Sequence, residues 1–113
     1  MAIISTITYS GFPYTFDVVT LDHEFDEVAA IYMFIKRYIG NNKYLHKILY
    51  IGQTQNLKQR ISGHEKLDCA LSHGCTHISV YKFIGTDEER KEIEAQLISD
   101  KKPICNEQLN PNA

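Results

Sequence analysis

No stretch of this 113-residue sequence approaches the roughly 20 consecutive apolar residues that a membrane-spanning helix needs, so no membrane partner is expected. The amino-terminal Met1-Ala2-Ile3-Ile4-Ser5-Thr6 has neither the basic region nor the long apolar core of a secretory signal, and the expected setting is the cytoplasm. Cysteine is scarce. Cys69, Cys75 and Cys105 are odd in number and irregularly spaced, which does not read as a disulfide framework, and free thiols are expected. Internal repeats and low-complexity segments are missing too. Residues 1–29 lack lysine and arginine altogether while carrying Asp17, Asp22, Glu24, Asp26 and Glu27. All twelve basic residues lie from Lys36 onward, against nine acids. The formal charge of -2 argues against a general nucleic-acid binder, but it conceals an arm of -5 and a remainder of +3. A basic module behind an acidic arm is compatible with a polyanionic substrate.

The length suits one modest core, with residues 1–29 read as an acidic β-hairpin arm and residues 30–113 as the functional domain. Ile3–Tyr9 and Tyr14–Leu21 are rich in threonine, valine, isoleucine and aromatics, with turn chemistry at Gly11-Phe12-Pro13. Val28–Tyr38 and His46–Gly52 predict a second hairpin, turning at Gly40-Asn41-Asn42. Thr54 is a candidate cap for a helix from Gln55 toward Lys66, which would set Arg60 and His64 on one face. Asp68–Thr76 reads as irregular and His77–Ile84 as a strand. Thr86-Asp87-Glu88-Glu89 forms a capping box for a helix running to Ser99, ended by Lys101-Lys102-Pro103. The order predicts an α+β fold with helices packed against a sheet.

Five residues carry the chemistry that could act on a phosphodiester. Arg60 offers a planar charged fork for phosphate oxygens, although a solvated helix arginine is the commoner fate. His64 could hydrogen-bond a tyrosine or a phosphate; a lone histidine is more often a surface residue. Glu94 lies among Ile93, Leu97 and Ile98, where a carboxylate requires a partner. Arg90 four residues earlier is the ordinary partner, and a magnesium ion shared with substrate phosphate and water is the sharper one. Tyr32 and Tyr50 would ordinarily be amphipathic strand residues, and a phenol of pKa about 10 is a poor base unless its surroundings favour the phenolate. Base and water-positioning roles both stay open. His64, Cys69, His73, Cys75 and His77 contain enough soft ligands for zinc, but they lack the paired C-x-x-C knuckle, and a polar loop with thiols is the preferred reading.

The ordered set resembles the GIY-YIG nuclease family over Ala30–Asn106. It runs from Ala30-Ile31-Tyr32 to Tyr50-Ile51-Gly52-Gln53-Thr54 with Asn56-Leu57, then Arg60, His64, Glu94-Ala95-Gln96-Leu97-Ile98, Pro103 and Asn106. The resemblance implies a three-stranded antiparallel sheet flanked by helices, and DNA endonuclease activity through one divalent cation, Mg2+ or Mn2+. On the matching positions, Tyr50 would position or activate water with Tyr32 in support, and Arg60 would contact the scissile phosphate. Glu94 would bind the metal, His64 would assist proton transfer or phosphate contact, and Asn106 would hold the site together. Three departures stand out. Ala30 replaces the first glycine, the gap between the motifs is long and contains a second Tyr-Ile-Gly at Tyr38, and Gln53 stands where a member of the family that resembles this chain carries lysine. The alternative is a non-cleaving nucleic-acid or protein-binding module that keeps the fold.

Overall fold

Alternating β-branched and aromatic residues build strands β1 (Ser5–Thr8), β2 (Thr15–Thr20), β3 (Ala30–Gly40), β4 (Lys43–Thr54) and β5 (His77–Lys82). The computed structural model describes residues 3–9 and 11–107, so expectations for Met1-Ala2 and for the tail after Glu107 lie outside it. The strands form one antiparallel sheet in the order β1-β2-β5-β3-β4. The expected three-stranded sheet is therefore incomplete as a description: β5, β3 and β4 are there, and β2 and β1 extend it to five. The reason is the open edge that β5 would otherwise present. Asp17–Thr20 pairs with His77–Val80 and satisfies that edge with main-chain hydrogen bonds. Phe16 and Val18 of the arm thereby share an apolar cluster with Ile31, Met33 and Leu97.

Strand residues two apart face the same side, and the two faces of β3 divide the core. Tyr32 and Phe34 pack with Tyr50, Leu57, Ala70 and Cys105 on one face, under helices α1 (Leu57–Ile61), α2 (Leu67–Ser72) and α4 (Ile104–Glu107). Ile31, Met33 and Ile35 pack with Phe16 and Leu97 on the other, the side of α3 (Asp87–Lys101). A bulge in the pairing after Phe34 gives β4 the extra residue Leu49, which keeps both Leu49 and Tyr50 on the buried side.

The helices differ from expectation in instructive ways. The first ends at Ile61, five residues short of Lys66, because Gly63 adopts φ of +65° and breaks the ladder. Its cap is Asn56, whose side chain accepts from the Gln59 N–H, and not Thr54. His64 thus sits in a turn, and the stretch expected to be irregular contains α2. Thr86 and Glu89 form the reciprocal capping box of α3. The free-thiol expectation is overturned for two of the three cysteines: Cys69 on α2 and Cys105 on α4 are disulfide-bonded, with Cα atoms 5.9 Å apart, while Cys75 is free and buried. Spacing gives no hint of this pair, since only tertiary packing brings the two short helices together. Among the described residues no helix is long and apolar enough to cross a membrane.

Candidate active site

β4 is an edge strand, so every second residue points its N–H and C=O away from the sheet and needs partners elsewhere. Ile51 finds both in one side chain. Its N–H donates to Asn106 Oδ1 at 2.8 Å, and Asn106 Nδ2 donates to its carbonyl at 2.9 Å. The carboxamide thus takes the place of a neighbouring strand, and Asn106 is buried to do so. Two residues on, the Gln53 N–H faces the carboxylate of Glu94 on α3 closely enough to lower its pKa. The Asn106 clamp fixes the strand segment that carries Tyr50 and Gly52.

Tyr32 lies directly across from Gly52 in the sheet. Its ring covers the glycine so closely that a Cβ there would fall on the phenol end of Tyr32, which explains why this position carries no side chain. Tyr50 stands across from Phe34, with the rings stacked 5.7 Å apart, and the His64 ring packs edge-on against Tyr50 at 5.1 Å. The histidine tautomer follows from its partners. His64 Nδ1 accepts from the Lys66 N–H at 2.9 Å, so Nε2 carries the proton and donates to the Tyr32 oxygen at 2.7 Å. Burial, reinforced by the Arg60 charge, holds the His64 pKa down at about 4, and the ring is neutral at physiological pH. The Tyr32 hydroxyl hydrogen is left to point elsewhere.

Burial pushes both phenols upward. Tyr32 is raised far above the usual tyrosine value by burial and then by Tyr50, and Tyr50 is raised by burial with the neighbouring Arg60 opposing the rise. Both are therefore held protonated. Arg60 makes a forked pair with Glu65, with two contacts of 2.7 Å, and Glu65 holds its own pKa near 2 chiefly through that bond. The two lie five apart across the Gly63 break, a spacing that carries no helical-pair signal, so Glu65 is a site neighbour that the sequence did not reveal. Two of the five guanidinium N–H groups go to Glu65, and the guanidinium also neighbours the Tyr50 hydroxyl closely enough to oppose the rise in its pKa.

Glu94 does not pair with Arg90, the ordinary partner expected from spacing. Arg90 is buried and turns to Asp87 at 2.8 Å and to Gln53 Oε1 at 2.9 Å. Glu94 is half-buried, with its pKa raised by burial against the opposing Gln53 N–H and Arg90. Beside it opens a cleft of about 540 Å3 lined in part by Gln53, Asn56, Gln59, Arg60, Arg90 and Lys91. Sequence reasoning missed the Arg90–Asp87–Gln53 network because it joins α3 to β4 across 37 residues of sequence.

Of the six residues singled out, Tyr32, Tyr50, Arg60 and Glu94 lie near enough that each tyrosine feels both the arginine and the carboxylate. His64 supports this group from behind Tyr32, and Asn106 from behind Ile51. Tyr38, the start of the second Tyr-Ile-Gly, is 41% exposed and lies four residues beyond Phe34 along β3. The soft-ligand constellation separates: Cys69 and His73 stay together with Cys105, their ligand atoms all within 4.8 Å, whereas His64, Cys75 and His77 are not part of that group.

An antiparallel sheet that brings two buried tyrosines of β3 and β4 together with an arginine, and with a carboxylate that forms no ion pair among the described residues, defines a candidate phosphodiester-cleaving domain. The family model of the GIY-YIG catalytic domain matches residues 29–110, and the chain belongs to that family, a family of nucleases. No curated protein and no solved structure matches the chain significantly.

Proposed function

We propose that this protein is a DNA endonuclease that hydrolyses phosphodiester bonds with the help of one divalent cation, magnesium or manganese. The observation that carries the reading is the meeting of Tyr32, Tyr50, Arg60 and Glu94 beside β4, with Glu94 in no ion pair among the described residues. The donor chemistry fits a hard cation. Glu94 offers two carboxylate oxygens on a half-buried side chain, and magnesium is commonly held by one or two carboxylates plus water and phosphate. When bound, such a cation supplies Lewis-acid charge beside the phosphate oxygens.

The other roles are this chain's own. Arg60 has N–H donors beyond the two given to Glu65 and would hold a phosphate oxygen as negative charge grows in the transition state. The protonated state of both phenols favours orienting the attacking water over removing its proton. Water oxygen bonds to phosphorus as a phosphorus–oxygen ester bond breaks, the proton that water loses passes to solvent, and the departing oxygen takes up a proton from solvent to leave as a hydroxyl. His64, donating to Tyr32, fixes that hydroxyl and acts as a positioning residue. Asn106 would hold the strand register beneath Tyr50.

One observation favours the second reading, a binding module that does not cut: the Arg60 fork is closed on Glu65. Purified protein incubated with plasmid, single-stranded and branched DNA, in magnesium, manganese or chelator, separates the two. Metal-dependent cleavage of any form is expected. Binding without cleavage in either metal would establish the module.

A further inference from the structure

β3 and β4 are longer than the sheet they belong to. β3 pairs with β5 only as far as Ile35 opposite His77, yet its pairing with β4 continues to Gly40 opposite Lys43. Residues 36–47 therefore project as a two-stranded ribbon with no third strand. Asn41 and Asn42, both left-handed at φ of 53° and 62°, close it in the two-residue turn that suits twisted hairpins.

The charge on this ribbon is one-sided. It carries Lys36, Arg37, Lys43 and Lys47, and no aspartate or glutamate occurs anywhere from Val28 to His64. Among the described residues none of these four cations forms an ion pair. Lys36 stands directly opposite Lys47, a like-charge cross-strand pair that costs stability and that no carboxylate relieves. Apolar side chains alternate with the charges and are exposed: Tyr38 at 41%, Ile39 at 69% and Tyr44 at 54%. The Arg37 guanidinium lies flat on the Tyr44 ring, 3.7 Å from its centre. Internal stability explains the Arg37–Tyr44 contact but not the repelling lysines. A polyanion laid along the face that carries Lys36, Tyr38, Lys43 and Lys47 explains those lysines.

Position identifies the polyanion. β3 is regular from Tyr32 to Tyr38, so Lys36 and Tyr38 face the same side as Tyr32 and Phe34, and Lys47 opposite Lys36 joins them. At about 3.3 Å per residue, Lys36 lies about 13 Å along the strand from Tyr32, close to four base steps of a duplex at about 3.4 Å each. We propose that the projecting ribbon, Lys36–Lys47, is a grip for the sugar-phosphate backbone of duplex DNA, contacting it a few base pairs from the bond at the candidate active site. This inference rests on the nuclease reading for the identity of the polyanion. The contact is with backbone and is independent of base sequence.

The test is the binding of fluorescently labelled duplex DNA in chelator, across a salt series, by the parent and by the double variant Lys43→Gln, Lys47→Gln. Both side chains are exposed or lie at the ribbon surface, and thermal melting checks that the fold is kept. The slope of log affinity against log salt should fall by about 2 in the double variant, and by about 1 in each single variant. The loss should be equal for unrelated sequences, and Lys43→Arg, Lys47→Arg should keep the parent slope. A double variant that binds with the parent's affinity and slope would overturn the ribbon while leaving the nuclease reading intact. Failure of the parent to bind duplex DNA at all would also overturn the ribbon as a duplex grip, and the nuclease reading would then stand or fall on the cleavage of single-stranded and branched DNA.

Discussion

The two ends of the β3–β4 hairpin are built from the same two strands and have opposite characters. At the Tyr32–Tyr50 end, side chains are buried and the outward backbone groups of Ile51 are received by Asn106. Beyond Ile35 the strands lose their third neighbour, the aromatics are exposed, and four cations stand without counter-charge. The difference shows what the sheet is for at each place. Where chemistry needs fixed geometry, neighbouring elements over-determine the backbone, and where the chain meets a large partner, it is left projecting.

The comparison breaks most completely if the sheet supporting the fixed end is cut back. Truncation after Glu27 removes β1 and β2 and with them the buried Phe16, Val18 and Val19. Each such side chain is worth roughly 1.5–3 kcal/mol of burial, and the sum rivals the net stability of a small domain. Insoluble protein or loss of the cooperative melt is expected. A soluble, stably folded truncate that binds or cuts DNA better would make the acidic arm a regulator of the basic module.

A sharper contrast removes one oxygen from each end. Tyr50→Phe should lower the cleavage rate by about 10²-fold, the scale of a lost catalytic hydrogen bond, with little change in melting temperature. Tyr38→Phe should leave the rate unaltered. The reverse result would place the second motif on the ribbon.

Asn106→Ala tests the clamp. It strands the Ile51 N–H and C=O in a buried place, and about 2 kcal/mol or more of stability should be lost, read as a lowered melting temperature. An unaltered melt would mean that the edge of β4 needs no strand substitute.

Much of the scaffold was readable because it is local. Thr86 and Glu89 are three residues apart and form their capping box, and Asn41-Asn42 turns the hairpin. Features that depend on distant partners were not readable. Gly63 lies inside the expected helix as a residue that weakens it, but nothing nearby in sequence says that it ends the helix and places His64 in a turn. The pairing of β2 with β5, the Cys69–Cys105 bond and the clamp of Asn106 on Ile51 all join residues far apart in sequence. The Arg60–Glu65 pair is close in sequence yet depends on that same broken helix.

The smallest expected effect is a pH dependence at the fixed end. The folded His64 has its pKa pushed down to about 4, against about 6.5 unfolded, so the folded state binds fewer protons between those values. Its contribution is fully present above about 6.5 and declines as pH falls toward about 4. Glu94, whose pKa is raised, works in the opposite direction and is common to both proteins compared. His64→Gln should flatten the acid decline in melting temperature, and a parallel decline would show that His64 is not the titrating group.

The claim on which the rest depends is that Glu94 serves chemistry and not only the edge of β4. Single-turnover cleavage of a labelled duplex in magnesium and in manganese, by the parent and by Glu94→Gln, tests it with almost no change of shape, because glutamine keeps the size and one carbonyl oxygen of the glutamate side chain. The expected result is a loss of about 10²-fold or more in both metals, with melting temperature unchanged. Cleavage by Glu94→Gln at the parent's rate would contradict the account.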